Sequence, residues 1–502
     1  MKKNILNLFF VATAISVIGG CKPGDFGDLN VSPNSPSQPV TSLLLTSAER
    51  YMGRTTAVTS AATAPGIIND YAGKLYTQQI SETLYTSESR YNTKIYNYTG
   101  VFNSPLEDLQ TIIKLNTDAA TKSQPNVIAN GSNANQIAAA RILKAFYFQN
   151  MTDRWGDIPY TEALQGAAFL TPKFDKQQAV YADLFKELTE ATAQFDGGAG
   201  PQGDFLFGGD INRWKIFAST IRMNMALRLS KADPATGRKE FNAALAAGVI
   251  NSNNDNIVYK FLGESSNENN IYYNYEVAKR YDYATSDVMV NKLNSLNDPR
   301  VTVYADKTVA GTYVGMPYGL TQALAGVYVK GNVNNPGDVS LIGKAFRSQN
   351  SPVRIFTYPE VLFSKAEAYK LGWITGAPDD AQAQASYLAG IAASMALNGV
   401  TPPATYYTQA GVAYNPATAR EQIITQKWIA NYMGYALEAW SDWRRTGYPV
   451  LTPSKYPQNI GGQIPVRQAY TNDEPSLNRA NYNAVIASQG PDELNTPIWL
   501  FK

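Results

Sequence analysis

The chain has 502 residues, 44% of them hydrophobic and 17% charged, with 43 basic residues, 41 acidic ones and 32 tyrosines. It holds no histidine and one cysteine, Cys21, which excludes Ser-His-Asp triads, Cys-His dyads, internal disulfides and histidine-bearing zinc sites. Two of the basic residues, Lys2 and Lys3, stand in a leader, so the remainder is formally neutral and offers no electrostatic reason to bind nucleic acid.

After Lys2 and Lys3, the stretch from Ile5 to Ile18 is mostly apolar but too short to span a bilayer, and Gly19-Gly20 precede Cys21. The pattern predicts a lipoprotein-type signal peptide over 1–20. Cys21 would then be acylated as the first mature residue and hold a soluble body on the membrane. Residues 21–39, rich in Pro, Gly, Ser, Asp and Asn, read as a flexible tether, and 40–502 as one domain. A first helix should start near Pro39-Val40-Thr41 and run toward Tyr51. From Tyr71 to Tyr98, tyrosines recur among Gln, Glu, Ser and Arg in the manner of binding loops.

Ala139, Ile142, Leu143 and Phe146 have helical spacing, and Gly156 and Pro159 end that helix. Leu184, Leu188, Ala191 and Phe195 mark a second helix, stopped at Gly197-Gly198; Trp214, Phe217, Ala218 and Ile221 mark a third. From 251 to 349 the chain turns loop-rich, with β-prone pieces at Val301-Thr302-Val303-Tyr304 and 326–330. Thr357 and Glu360 form a candidate capping box ahead of the next helix, another covers Tyr387 to Met395, and a long last one should run from about Ala419 to Trp443. The fold class is therefore mainly α, built of helical hairpins without a legible strict repeat, plus a loop-rich part with short strands.

Two motifs invite chemistry and are better read as structure. Glu438 to Arg445 places Glu438 and Asp442 one helical turn apart; glycosidic cleavage needs carboxylates on opposite sides of the bond, so ion pairing between helices is the better reading. Gly198-Ala199-Gly200-Pro201-Gln202-Gly203 fits a dinucleotide fingerprint by letter, but it follows a helix instead of a strand. Asp298-Pro299-Arg300 reads as a helix-ending turn.

In order along the chain, Cys21, Asp28-Leu29-Asn30, Asp153-Arg154-Trp155-Gly156-Asp157, Asn297-Asp298-Pro299-Arg300, Tyr358-Pro359-Glu360, Glu438-Ala439-Trp440 with Arg444-Arg445-Thr446-Gly447, and Thr496-Pro497-Ile498-Trp499 resemble the SusD/RagB outer-membrane lipoproteins, in their SusD-like variant group. The resemblance implies a tetratricopeptide-like scaffold of four helix pairs carrying variable loops. It also implies a cell-surface lipoprotein that captures an oligosaccharide and passes it to a SusC-like TonB-dependent β-barrel transporter. The alternatives are a peptide receptor of the same architecture and, further off, a surface glycoside hydrolase. Asp25 and Asp28 resemble the family's acidic surface-export signal.

Tyrosine suits such a ligand: it offers a flat apolar face to a sugar ring, a hydroxyl, and little entropy to lose. The expected ligand-binding residues are Tyr85, Arg90, Tyr91 and Tyr96 in the first aromatic stretch, and Tyr272, Tyr273, Tyr275, Tyr281 and Asp282 in the second. For each tyrosine, simple burial is the competing use. No catalytic residue and no cofactor is expected; an oxygen-bound structural calcium stays open.

Overall fold

The computed structural model describes residues 39–53, 68, 71–329 and 337–502. The signal peptide over 1–20, Cys21, Asp25, Asp28 and the tether up to residue 38 lie outside the described residues.

The centre of the scaffold is prepared by sequence. Helix α1 spans Thr41–Met52, α2 Glu107–Thr117 and α3 Asn133–Trp155. Ser132 caps α3 by accepting from the Asn135 amide at 3.1 Å, and Gly156, at φ +84°, ends it. A Cβ at position 156 would press against the Gln489 side chain, so only glycine fits there. α3 is buried almost all round, its polar residues Asn135, Gln136, Gln149, Asn150, Asp153 and Arg154 included. Ala138, Ala139, Ala140 and Ala145 let neighbours approach closely, while Ile142, Leu143, Phe146 and Tyr147 fill the gaps.

Helix pairs pack around α3. α4 (Gln177–Gln194) returns beside it, then come α5 (Ile211–Arg228) with α6 (Pro234–Ala247), α7 (Tyr358–Lys370) with α8 (Asp380–Leu397), and α9 (Ala419–Ala430) with α10 (Ala436–Thr446). Asp210 caps α5 and Thr357 caps α7, where it accepts from the Glu360 amide. Only half of the expected capping box forms, because the Glu360 carboxylate accepts from Asn224 of α5 instead of reaching back.

Among the described residues, six short strands make three two-stranded sheets. β1 (Ile80–Glu82) pairs antiparallel with β5 (Tyr283–Thr285), β2 (Ile158–Pro159) with β3 (Phe174–Asp175), and β4 (Ile257–Tyr259) with β6 (Val353–Phe356). The loop-rich part does contain strands, but not at the β-prone pieces. Val301–Tyr304 is helical, with its turn set by Asp298 beneath the Arg300 amide and Tyr304 stacked on Tyr432 at 4.5 Å. Gln322–Tyr328 is helical too, capped by Thr321, with Ala325 packed near Ala284 and Met316. In both, local capping and packing override β-propensity.

The long last helix is in fact two. Between α9 and α10 the chain turns at Met433, φ +56°, and the Tyr435 amide donates to the Arg354 carbonyl of β6. The Glu438–Arg445 motif on α10 is structural, as its spacing predicts. Arg228 of α5 pairs with Asp153 of α3 at 2.7 Å and with Glu438; Lys427 of α9 meets Asp442 at 2.8 Å; Arg445 bridges Asp442 at 2.8 Å and Glu367 of α7. All of these groups are buried. Arg444 donates to the carbonyl of Asp153 at 2.6 Å, tying α10 to the end of α3. Asp298 and Arg300 likewise form a fully buried pair that reaches Ser394 of α8 and Gln426 of α9.

Candidate ligand-binding surface

Pairing of β1 with β5 brings together the two tyrosine-rich stretches, some two hundred residues apart in sequence. The register sets Ile80 against Thr285 and Glu82 against Tyr283, and the Thr83 amide extends it by donating to the Asp282 carbonyl at 2.9 Å. Behind the sheet, Tyr71 stacks on Tyr283 at 4.9 Å with nearly parallel rings.

On the outer side stands Tyr85, 55% exposed. The Arg280 guanidinium lies over its ring at 4.9 Å, and Asp282 holds that guanidinium through Nε at 3.1 Å and Nη2 at 2.6 Å. Asp282 also accepts from Asn274 at 2.8 Å, so its buried carboxylate is fully engaged in positioning Arg280. Arg90 lies on the loop after Tyr85 and donates through Nε to the backbone carbonyl of Tyr456, an exposed tyrosine, at 2.9 Å. Tyr272, Tyr273 and Tyr281 are half-buried; Tyr281 packs edge-on against Tyr275 at 5.0 Å.

The remaining expected contacts face inward. Tyr91 is buried, and its hydroxyl accepts from the Ser454 amide at 3.1 Å. Tyr96 donates to Glu88 at 2.8 Å and shares a hydrogen bond with Tyr76. Tyr275 is buried, and its hydroxyl donates to the Tyr283 carbonyl. These three rings build the wall from behind rather than its face. Arg280 and Tyr456 escaped the sequence reading. Arg280 could have been found from its place two residues before Asp282 and next to Tyr281, whereas Tyr456 lies in a segment without periodic pattern.

The surface is held under backbone strain. Among the described residues, seven non-glycine positions have positive φ, and four of them, Gln78, Tyr85, Tyr91 and Lys279, belong to these two stretches. Left-handed tyrosines are uncommon and persist only where surroundings enforce them. Beneath the loop, Glu82 accepts from both the amide and the hydroxyl of Ser89 at 2.8 Å. Burial, reinforced by nearby Glu88, pushes its carboxyl well above the usual range. The site therefore offers one open tyrosine face, two guanidinium groups and no free carboxylate among Glu82, Glu88 and Asp282.

A family described as "Starch-binding associating with outer membrane", SusD-like, matches residues 33–471. Similar solved structures include a chitin-binding protein, 28% identical over 92% of this chain and 100% of its own, with a TM-score of 0.75. A Bacteroidetes SusD-like protein is 25% identical, covering 92% and 99%, with a TM-score of 0.73. A chitin-binding SusD homolog from Flavobacterium johnsoniae shares the fold at 22% identity, covering 92% and 98%, with a TM-score of 0.72. No curated protein matches the chain.

Proposed function

Because the chain belongs to the SusD-like family, we propose that it is a non-catalytic, outer-membrane lipoprotein of the cell surface that captures an oligosaccharide and delivers it to a SusC-like TonB-dependent transporter. The observation that carries the binding half is the Tyr85–Arg280–Asp282 arrangement: an exposed ring backed by a fixed guanidinium, on a strained loop braced by buried tyrosines. An aromatic face and pre-positioned polar donors are what a sugar ring needs, and pre-organisation lowers the entropy lost on binding. The chitin-binding description of the 28% identical relative favours β-linked amino sugars as first ligands to try. Binding without cleavage agrees with the engagement of Asp282 by Arg280 and Asn274 and of Glu82 by Ser89, which keeps these two acids of the tyrosine surface from serving as the acid and base of glycoside hydrolysis. Lipidation at Cys21 and delivery to the transporter follow from the sequence motif and the family resemblance.

Calorimetric titration with chito- and malto-oligosaccharides tests this reading. Saturable heat with the ligand recovered intact supports it; shortening of the ligand during incubation makes the protein a hydrolase, and response to peptides alone makes it a peptide receptor.

A further inference from the structure

The loop between α4 and α5, residues 195–210, fastens α1 to the scaffold, and a pair of acids sits at the fastening. Thr46 of α1 donates to the Gly203 carbonyl at 2.6 Å, and Glu49 of α1 accepts from the Phe205 and Leu206 amides. The approach is close: Gly203 has φ +74°, and a Cβ there would run into the Ser42 carbonyl. The same loop holds the start of α3, where the Ser132 amide donates to the Ala199 carbonyl at 3.0 Å and the Gln202 amide to the Asn130 carbonyl at 2.8 Å. One loop therefore ties α1 to α3.

Glu49 and Asp204 are both buried, and their carboxyl groups lie within hydrogen-bonding reach of each other. The Leu206 amide is shared between them, at 3.1 Å from Glu49 Oε2 and 3.0 Å from Asp204 Oδ1. Asp204 is further surrounded by the Phe207 amide on Oδ1 at 2.9 Å, and by the Gly209 amide and the Trp214 indole on Oδ2 at 2.9 and 2.8 Å. Glu49 takes both of its amides on Oε2, and its buried Oε1 has no hydrogen-bond partner. A metal ion would face those N–H groups, whereas a proton on Glu49 needs only the neighbouring carboxylate.

Among the described residues no cation acts on Glu49. Arg50, on the same helix, acts on Tyr259 of β4. Arg213 of α5 lies over the Phe207 ring at 5.5 Å and donates to the Asn254 and Asn256 carbonyls. From α3, the Tyr147 hydroxyl donates to the Ala48 carbonyl at 2.7 Å, and Asp108 of α2 acts on that tyrosine. Burial and the Asp204 charge thus stand unopposed by any base, and they raise the Glu49 carboxyl well above the usual range.

We propose that Glu49 and Asp204 share one proton and act as a pH-operated clasp on α1. With the proton in place the loop grips the helix; when it leaves, two adjacent buried carboxylates repel and the grip loosens. The clasp is closed in acid and opens as pH rises through the folded-state value of Glu49. α1 follows the stretch read as the tether, so the clasp sets how firmly that end of the body is held.

Hydrogen exchange followed by mass spectrometry on the purified protein, at about pH 6 and about pH 9 and corrected for the intrinsic rates, tests this. Peptides from α1 and residues 203–209 should lose about tenfold or more of their protection at the higher pH, while α3 keeps its own. In Glu49→Gln, which keeps an acceptor for the amides and a donor toward Asp204, protection of α1 should be the same at both values. The local loss is read in the unaltered protein, so the test stands even if Glu49→Gln does not fold. Equal protection of α1 at the two values, a loss matched by α3, a loss in acid instead, or a pH response that persists in Glu49→Gln would overturn the proposal.

Discussion

Replacing Tyr85 by alanine removes the open ring of the tyrosine surface and little else. A tyrosine contributes about 150–250 Å² when buried, so its 55% exposure leaves ~80–140 Å², of which a sugar covering one face would take about half. At about 25 cal/mol per Å² this is ~1–2 kcal/mol, a five- to thirtyfold loss of affinity. Fold stability should hardly move. The loss is one exposed cation–π contact with Arg280, about 0.5–1 kcal/mol, and alanine tolerates the φ of +50° no better than tyrosine does. Asp282→Asn gives an independent reading. It cuts the charge-assisted hold on Arg280 without removing a ligand contact, so affinity should fall several-fold while Tyr85 stays in place. Titration calorimetry on the chito-oligosaccharide bound most tightly, paired with thermal melts, separates the two effects. Unchanged affinity in both variants, with melts intact, would refute the assignment of this surface.

Three further outcomes follow from the scaffold. Arg445→Met should destabilise the fold by about 3–5 kcal/mol in chemical denaturation, because it takes from the buried Glu367 carboxylate its bidentate partner and leaves Asp442 with Lys427 alone. Glu49 is buried and lies beside Asp204, and burial first, then Asp204, raise its carboxyl well above the usual range; it accepts from the Phe205 and Leu206 amides. A folded-state pKa above the unfolded one means that ionisation opposes folding, a cost absent below about pH 4.5 that grows as pH rises toward the folded value. Glu49→Gln should therefore gain stability relative to the unaltered protein at pH 8 but not at pH 4, by denaturation at the two values. Gly390→Ala should cost about 1–3 kcal/mol in the same assay, since its Cβ would come within 2.8 Å of the Phe363 ring where α8 crosses α7.

The helices were legible because their large apolar residues fall at helical spacing. α3, α4 and α5 appear where Ile142, Leu184 and Trp214 repeat, and glycines mark two of their ends. The Glu438–Arg445 motif could be read as ionic because its charges fall one turn apart. The break after α9 could not be read, since it depends on the Arg354 carbonyl, distant in sequence and waiting for the Tyr435 amide. The tyrosine surface was half legible. The two stretches stood out by composition, but which rings face outward is fixed only when β1 pairs with β5, turning Tyr91, Tyr96 and Tyr275 inward and Tyr85 outward.

The buried ion pairs and the strained loop are two parts of one arrangement. Five helices, α3, α5, α7, α9 and α10, each contribute at least one charge to the network around Arg228, Lys427 and Arg445. Desolvating these charges costs much of what their attraction returns, so the network adds little net stability. Its effect is on register. Sliding any one helix by a turn would part a buried charge from its partner, at several kcal/mol, whereas sliding an apolar seam by a turn often meets another apolar side chain. Helices fixed in this way give β1, β5 and the Tyr85 loop a rigid base. The Trp428 indole of α9 donates to the Thr77 carbonyl at 2.9 Å and Gln79 donates to the Trp428 carbonyl at 3.0 Å, so the strand that carries the loop hangs directly on a network helix. Arg445→Met should on this argument weaken oligosaccharide binding at the tyrosine surface even where enough protein stays folded to measure it.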